Sequence, residues 1–357
     1  MPSSGRPEGL RQLGWGLARR WGPPLAAWLL PAAFVALITL LARWLHTPTV
    51  LFPELAALAA VVLLQPQAPW SQVPLQLALA PFLTAGLGQL CLWLLPWWPP
   101  TVLLAVALSI SLVRWLRSPL VPALSCGLGP WAFQLHSWSF APSLLVGTGL
   151  LALVCLLRPG AGVPVPGRMG PDPHETALAH WLPVYGVFLV LGLVLVALTG
   201  QRLILYPPLL VIAYEGLVHP RRCPWRGRPL ATVLGCTVAA GIGTLLAGAW
   251  GVTPLATALT VVLLEAWQRL LRLRLLPAFG AGLLPFLLPQ PNLSFPLSVA
   301  LGTGLWALVS QLAGPGNRSD GTAIAERQGP EAGGDDRQRG SEAPAQSWIP
   351  PGGPASV

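Results

Sequence analysis

Three acidic residues, Glu54, Glu215 and Glu265, fall inside the long apolar stretches of this chain. An ionisable side chain at membrane depth is a functional candidate by default. Glu54 follows Pro53 in the first turn of a segment. There it either complements the helix dipole or serves as a coupling-ion or gate residue. Glu265 stands four residues before Arg269, the spacing of an interfacial ion pair on one helix face. Glu215 and His219 are also four apart and read as surface residues near the inner face rather than as a proton relay. No paired carboxylates, Ser-His-Asp set or HExxH accompany them, so a base or nucleophile with a partner is missing and the chain reads as a non-enzyme. The five cysteines form no CxxC and no paired spacing with histidine, so neither a metal nor any other cofactor is expected.

Positive groups offer a different chemistry. Pro122 and Pro277 can each open a helix, leaving free backbone N–H groups at its N-terminus, with Ser125 or Gly280 one turn in. Arg114 and Arg117, or Arg269 and Arg272, approach the same end in each case. A small anion held between two such helix starts is one reading; ordinary helix starts with arginines that set topology are the other. Thr148 and Thr303, inside Gly147-Thr148-Gly149 and Gly302-Thr303-Gly304, line a path if their helices face the centre, and otherwise mark close helix packing.

These residues recur because the chain repeats itself. Leu51-Phe52-Pro53 returns as Leu205-Tyr206-Pro207, Gly88 as Gly243, Arg114 and Arg117 as Arg269 and Arg272, and Pro122-Ala123 as Pro277-Ala278. From Pro74 onward the offset is a constant 155. Glycine, proline and arginine matching in one register point to a duplicated unit, a known signature of transporter architectures. Glu54 breaks the pattern, since Pro208 stands in its place.

Charged residues make up 9% of the chain and hydrophobic ones 54%, against roughly 25% charge in a soluble domain, so this is an integral membrane protein with the lipid bilayer as its main partner. The net charge of +9 comes from 21 arginines and no lysine. Because those arginines sit in short loops between apolar segments, they imply orientation rather than nucleic-acid binding. The expected fold is an all-α bundle of about twelve spans, near 25–43, 49–65, 74–96, 100–116, 119–136 and 140–157, then 181–199, 203–218, 229–250, 254–268, 275–289 and 294–312. The fifth segment of each unit is proline-rich, and either spans or re-enters. With every segment crossing and the N-terminus cytoplasmic, fifteen arginines lie inside and two, Arg43 and Arg202, outside; re-entrant fifth segments give seven against ten. The positive-inside rule therefore favours two parallel six-helix units and cytoplasmic termini. The layout is a cytoplasmic segment 1–24, units at 25–157 and 181–312, a cytoplasmic linker 158–180 and a disordered cytoplasmic tail 313–357. Trp44 and Trp97-Trp98 are expected at the outer interface and Trp21, Trp115, Trp225 and Trp267 at the inner one.

In both units a Pro-containing loop (Pro66, Pro69; Pro220, Pro224) precedes a Gly-rich third segment and a fourth ending in arginine. A Pro-Ala turn then opens the fifth, and the last reads Phe-x-Pro and then Gly. This order resembles the HPP family of membrane proteins over 28–157 and 181–312. The His-Pro-Pro turn is degenerate, reading Leu120-Val121-Pro122-Ala123 and Leu275-Leu276-Pro277-Ala278. The resemblance implies a fused pair of units and transport of a small, nitrite-like anion, and a bacterial inner membrane is the expected location. The six-span layout also resembles the fusaric-acid-resistance and aromatic-acid exporters. A non-transporting scaffold and a homo-oligomer stay open.

Overall fold

The computed structural model describes residues 26–95, 98–158, 175–220 and 223–314. The expected segment 1–24, most of the linker, the tail beyond Gly314, Trp21 and Trp97 lie outside them. Among the described residues the fold is all helical. The helices are α1 (Ala26–Trp44), α2 (Leu55–Leu64), α3 (Pro74–Leu94), α4 (Trp98–Trp115), α5 (Ala123–Ala132), α6 (Phe140–Leu157), α7 (Leu178–Thr199), α8 (Pro207–Val218), α9 (Pro229–Trp250), α10 (Pro254–Leu270), α11 (Pro277–Leu283) and α12 (Ser294–Leu312). Proline opens α3, α8, α9, α10 and α11, where its missing N–H costs no helical hydrogen bond.

Among the described residues six helices, α3, α4, α6, α7, α9 and α12, are long and apolar enough to cross a membrane. The second and fifth segments differ from the expected full spans. In place of 49–65, 119–136, 203–218 and 275–289 stand α-helices of 10, 10, 12 and 7 residues. Ten residues of helix reach about 15 Å, half of a bilayer core of about 30 Å. Proline is the reason: Pro48 and Pro53 confine the approach to α2 to a 3-10 turn at Pro48–Val50, and a second turn, Arg202–Leu205, precedes Pro207 and Pro208. Arginine holds the carbonyl ends of two of the short helices, α2 and α8. Arg158 donates to the Val62 and Leu63 carbonyls at 2.5 and 3.0 Å, and Arg226 to that of Gly216 at 2.9 Å, favourable for both the open carbonyls and the dipole.

Glycine fixes the packing, and does so alike in the two halves of the chain. A Cβ on Gly88 would stand 1.9 Å from the Gly127 carbonyl oxygen, and one on Gly243 1.9 Å from that of Gly282, so α3 meets α5, and α9 meets α11, backbone to backbone. Gly147 and Gly302 likewise leave room for Leu55 and Leu209, whose side chains would lie 2.9 Å from an added Cβ. One seam joins the halves along its length. Along α1 and α10, Arg43 donates to the carbonyl of Val252 in the turn that leads into α10, at 2.9 Å, and the buried Thr39 and Thr257 hydroxyls share a hydrogen bond of 2.8 Å. The corresponding helices α7 and α4 have no comparable packing.

The outer surface is apolar, with Leu198, Leu230 and Leu312 more than three-quarters exposed, as a lipid-facing surface requires. Trp44 and Trp115 are exposed, as an anchoring role needs. Trp225 is instead buried, its Nε1 donating to the Ile212 carbonyl at 3.3 Å, so it packs rather than anchors.

Candidate functional site

The starts of the four short helices meet. Every residue of α5 and α11 is buried, as are Leu55–Val62 of α2 and all of α8 except Glu215. Each half packs its short helices on the other's: α5 lies on α8, and α2 on α11. At the meeting point the Pro208 ring stands 2.6 Å from where a Cβ on Gly280 would be, and the Glu54 Cγ 3.6 Å from the same point. Gly280 therefore receives two residues that correspond in the two halves. Ser125, the counterpart of Gly280, lies beside the Glu54 carboxyl, with Cys126 next to it.

Glu54 is 1% exposed, and neither carboxyl oxygen has a hydrogen-bond partner. The side chain does not cap its own helix, although Glu54 occupies the N-cap position of α2. The Ser125 hydroxyl beside it donates to the Pro122 carbonyl at 2.6 Å. An acidic group kept from water without a donor is costly, so such a residue persists in a native core only for a reason.

The arginines stand elsewhere. Arg269 pairs with Glu265 at 3.0 Å, as the spacing predicts, and its guanidinium lies 4.1 Å from the Trp28 ring centroid, across the seam. Arg114 pairs with Glu175 at 2.5 Å and lies 5.9 Å from the Trp181 ring, again in the opposite half. Each half thus lays the last-turn arginine of its fourth helix on the first tryptophan of the other's opening helix. Arg117 and Arg272 are exposed and adopt left-handed backbone, φ 47° and 48°, as the residues that end α4 and α10. In both turns the next N–H returns to a carbonyl five residues back, Ser118 to Val113 and Leu273 to Gln268, which closes a Schellman motif with arginine where glycine is usual.

Nor are the expected N–H groups free. Pro122 is the N-cap of α5 rather than its first residue, and the Ala123, Leu124 and Ser125 N–H groups donate to the Leu120, Val121 and Pro122 carbonyls. Ahead of α11, the Ala278 and Phe279 N–H groups donate to Leu275 and Leu276. Both segments enter their helices through a tight turn that uses these donors, so Pro122 and Pro277 do not present the anion cradle that is one of the two readings of the sequence, and match the other, ordinary helix starts. Thr148 and Thr303 are buried and donate to the Leu144 and Val299 carbonyls of their own helices, a packing role beside Gly147 and Gly302. Glu215 and His219 approach to 3.2 Å. Among the described residues no group of three or more His, Cys, Asp or Glu side chains can hold a metal.

Two contacts that sequence reasoning misses also cross between the halves. The Gln65 side-chain oxygen, oriented to accept, takes both terminal nitrogens of Arg274, and that of Gln134 takes those of Arg202 at 2.5 and 3.1 Å. Gln65 follows α2 and Gln134 follows α5, so the clasps close the outer ends of two short helices whose starts meet at Glu54. The corresponding residues in the other half are His219, Pro289, Pro119 and Pro48, so repeat matching gives no signal for them. No family model matches the chain, and neither a curated protein nor a solved structure matches it. The resemblance to HPP proteins gains no support there and stands on the residues alone.

Proposed function

We propose that this integral membrane protein is a carrier for a small solute, built as two parallel six-helix units that cross the membrane twelve times, with both units beginning and ending on the cytoplasmic side. The observation that carries the reading is the meeting of four short, buried helices, two from each half, at one point between the halves. Helices interrupted at the interface of two repeats are where transporters hold their cargo, because irregular backbone at membrane depth is tolerated only inside protein or along a path. The shared glycine contacts and reciprocal Arg–Trp pairs support two units related by an axis along the membrane normal. In this reading each short helix covers half the depth, α2 and α8 the cytoplasmic half and α5 and α11 the outer half. The two clasps then stand at opposite faces, Gln65–Arg274 inside and Gln134–Arg202 outside, and the structure is closed at both. The continuous α1–α10 seam is the hinge side, and the α4–α7 side, joined by Arg114 on Trp181 and otherwise little packed, is the one that opens. A small, nitrite-like anion is the cargo class that the HPP resemblance supplies, and a bacterial inner membrane the site.

The test is uptake into proteoliposomes of a panel comprising nitrite, nitrate, formate and an aromatic acid. Flux above that of empty liposomes for at least one is expected. No flux for any of them in correctly inserted protein favours the second reading, a non-transporting scaffold, which the largely apolar core also suits. Orientation is tested by thiol labelling of cysteines placed at Arg226 and Arg202: the first is expected to react only from the cytoplasmic side and the second only from outside.

A further inference from the structure

The acidic side chain at the centre, Glu54, forms no hydrogen bond through either carboxyl oxygen. We propose that Glu54 is a proton-binding site: its carboxyl carries a proton while the two halves are closed around it and releases that proton when they part. Three observations lead there. Both oxygens are buried and unpartnered, so an ionised carboxylate has nothing to offset the loss of water. Among the described residues no charged group faces it. From α5 it is faced by Ser125 and the Cys126 thiol, from α8 by Pro208 and from α11 by Gly280. On α1, Arg43 is held at the far end by the Val252 carbonyl; on α6, Cys155 and Arg158 lie toward the other end of α2, where Arg158 holds the Val62 and Leu63 carbonyls. The turn at Pro69–Gln72 brings no titratable group. A metal ion would need several oxygen ligands. One carboxyl beside a hydroxyl already committed to Pro122 fits a proton instead.

The third observation is place. Glu54 belongs to one half and its Cγ lies 3.6 Å from where a Cβ on Gly280 of the other would stand, so separation of the halves admits water to the carboxyl. The step is then simple: the O–H bond of the carboxyl breaks, the proton passes to water admitted between the halves, and a hydrated carboxylate remains. Closure reverses it. A neutral centre can accept an anion and an ionised one repels it, which couples proton and anion movement in the same direction. The coupling rests on the carrier reading above; the protonation itself does not.

Two measurements separate these. Infrared difference spectra of the full chain in detergent at neutral pH are expected to show the carbonyl stretch of a protonated carboxylic acid that disappears in Glu54→Gln. Because glutamine copies the shape of the neutral acid, Glu54→Gln is expected to keep the wild-type melting temperature. Absence of the band, or a band unchanged in Glu54→Gln, overturns the proton site even if transport is seen. In proteoliposomes an inward proton gradient is expected to raise wild-type anion uptake at least several-fold and to leave Glu54→Gln unaffected. Equal stimulation of both overturns the coupling. A band present without any wild-type flux leaves the proton site standing and removes the carrier reading instead.

Discussion

The guanidinium of Arg269 lies 4.1 Å from the ring centroid of Trp28, and that of Arg114 lies 5.9 Å from Trp181, so the same pair is made twice and in opposite directions. An interface in which each side offers the same patch to the other is the isologous kind that a two-fold axis produces. The tryptophans stand 153 apart and the arginines 155, so matching the sequence to itself at one offset does not reveal the pairing.

Those pairs differ in reach, and their energies should follow. A cation over an indole contributes about 0.5–2 kcal/mol depending on desolvation. Double-mutant cycles with alanine, read by unfolding in detergent, are expected to give a coupling of about 1 kcal/mol for Arg269–Trp28 and a smaller one, about 0.5 kcal/mol, for Arg114–Trp181. Equal couplings would mean that the more distant ring is not engaged as described.

Glycine substitutions offer a sharper contrast. Gly88→Ala and Gly243→Ala drive a Cβ into a carbonyl oxygen of the facing helix, and each is expected to cost about 1–3 kcal/mol as overpacking. Gly86→Ala and Gly241→Ala meet nothing within 4 Å and are expected to be neutral or to stabilise by up to about 1 kcal/mol. Thermal denaturation of the four variants checks the pattern, and a costly Gly86→Ala would contradict the helix faces assigned here.

Arg117 and Arg272 combine a strained backbone with a charge, and glycine separates the two. A side chain in the left-handed region costs about 1–2 kcal/mol, partly offset by the greater freedom of glycine in the unfolded chain. Arg117→Gly and Arg272→Gly are therefore expected to leave stability unchanged or raise it by about 1 kcal/mol. If either arginine guides an anion to the cytoplasmic mouth, uptake falls while the melting temperature holds; unchanged uptake assigns both to helix termination alone.

Much of this fold is legible in the sequence because proline and glycine punctuate it. Pro74, Pro207, Pro229, Pro254 and Pro277 mark helix starts, and Gly88 and Gly243 mark the close approaches. The length of the second and fifth helices is less legible, since apolar content already runs through Leu51-Phe52 and Leu120-Val121 before helical geometry begins. Glu54 stands out in the sequence as an acid among apolar residues. Its surroundings do not, because Ser125, Pro208 and Gly280 reach it from three other helices and only the folded chain brings them together. The anion cradle at Pro122 and Pro277 fails for a local reason: the residues before each proline form a turn that takes up the N–H groups a ligand would need.

The central claim is that solute passes between the two halves and that the halves must move to let it. Cysteines at Gln65 and Arg274, bridged by a reversible bis-methanethiosulfonate spacer, test it directly, since all five native cysteines are buried. Uptake into proteoliposomes should fall to the level of empty liposomes when the bridge is closed and return on reduction. Uptake that persists undiminished across a fully formed bridge would contradict the account.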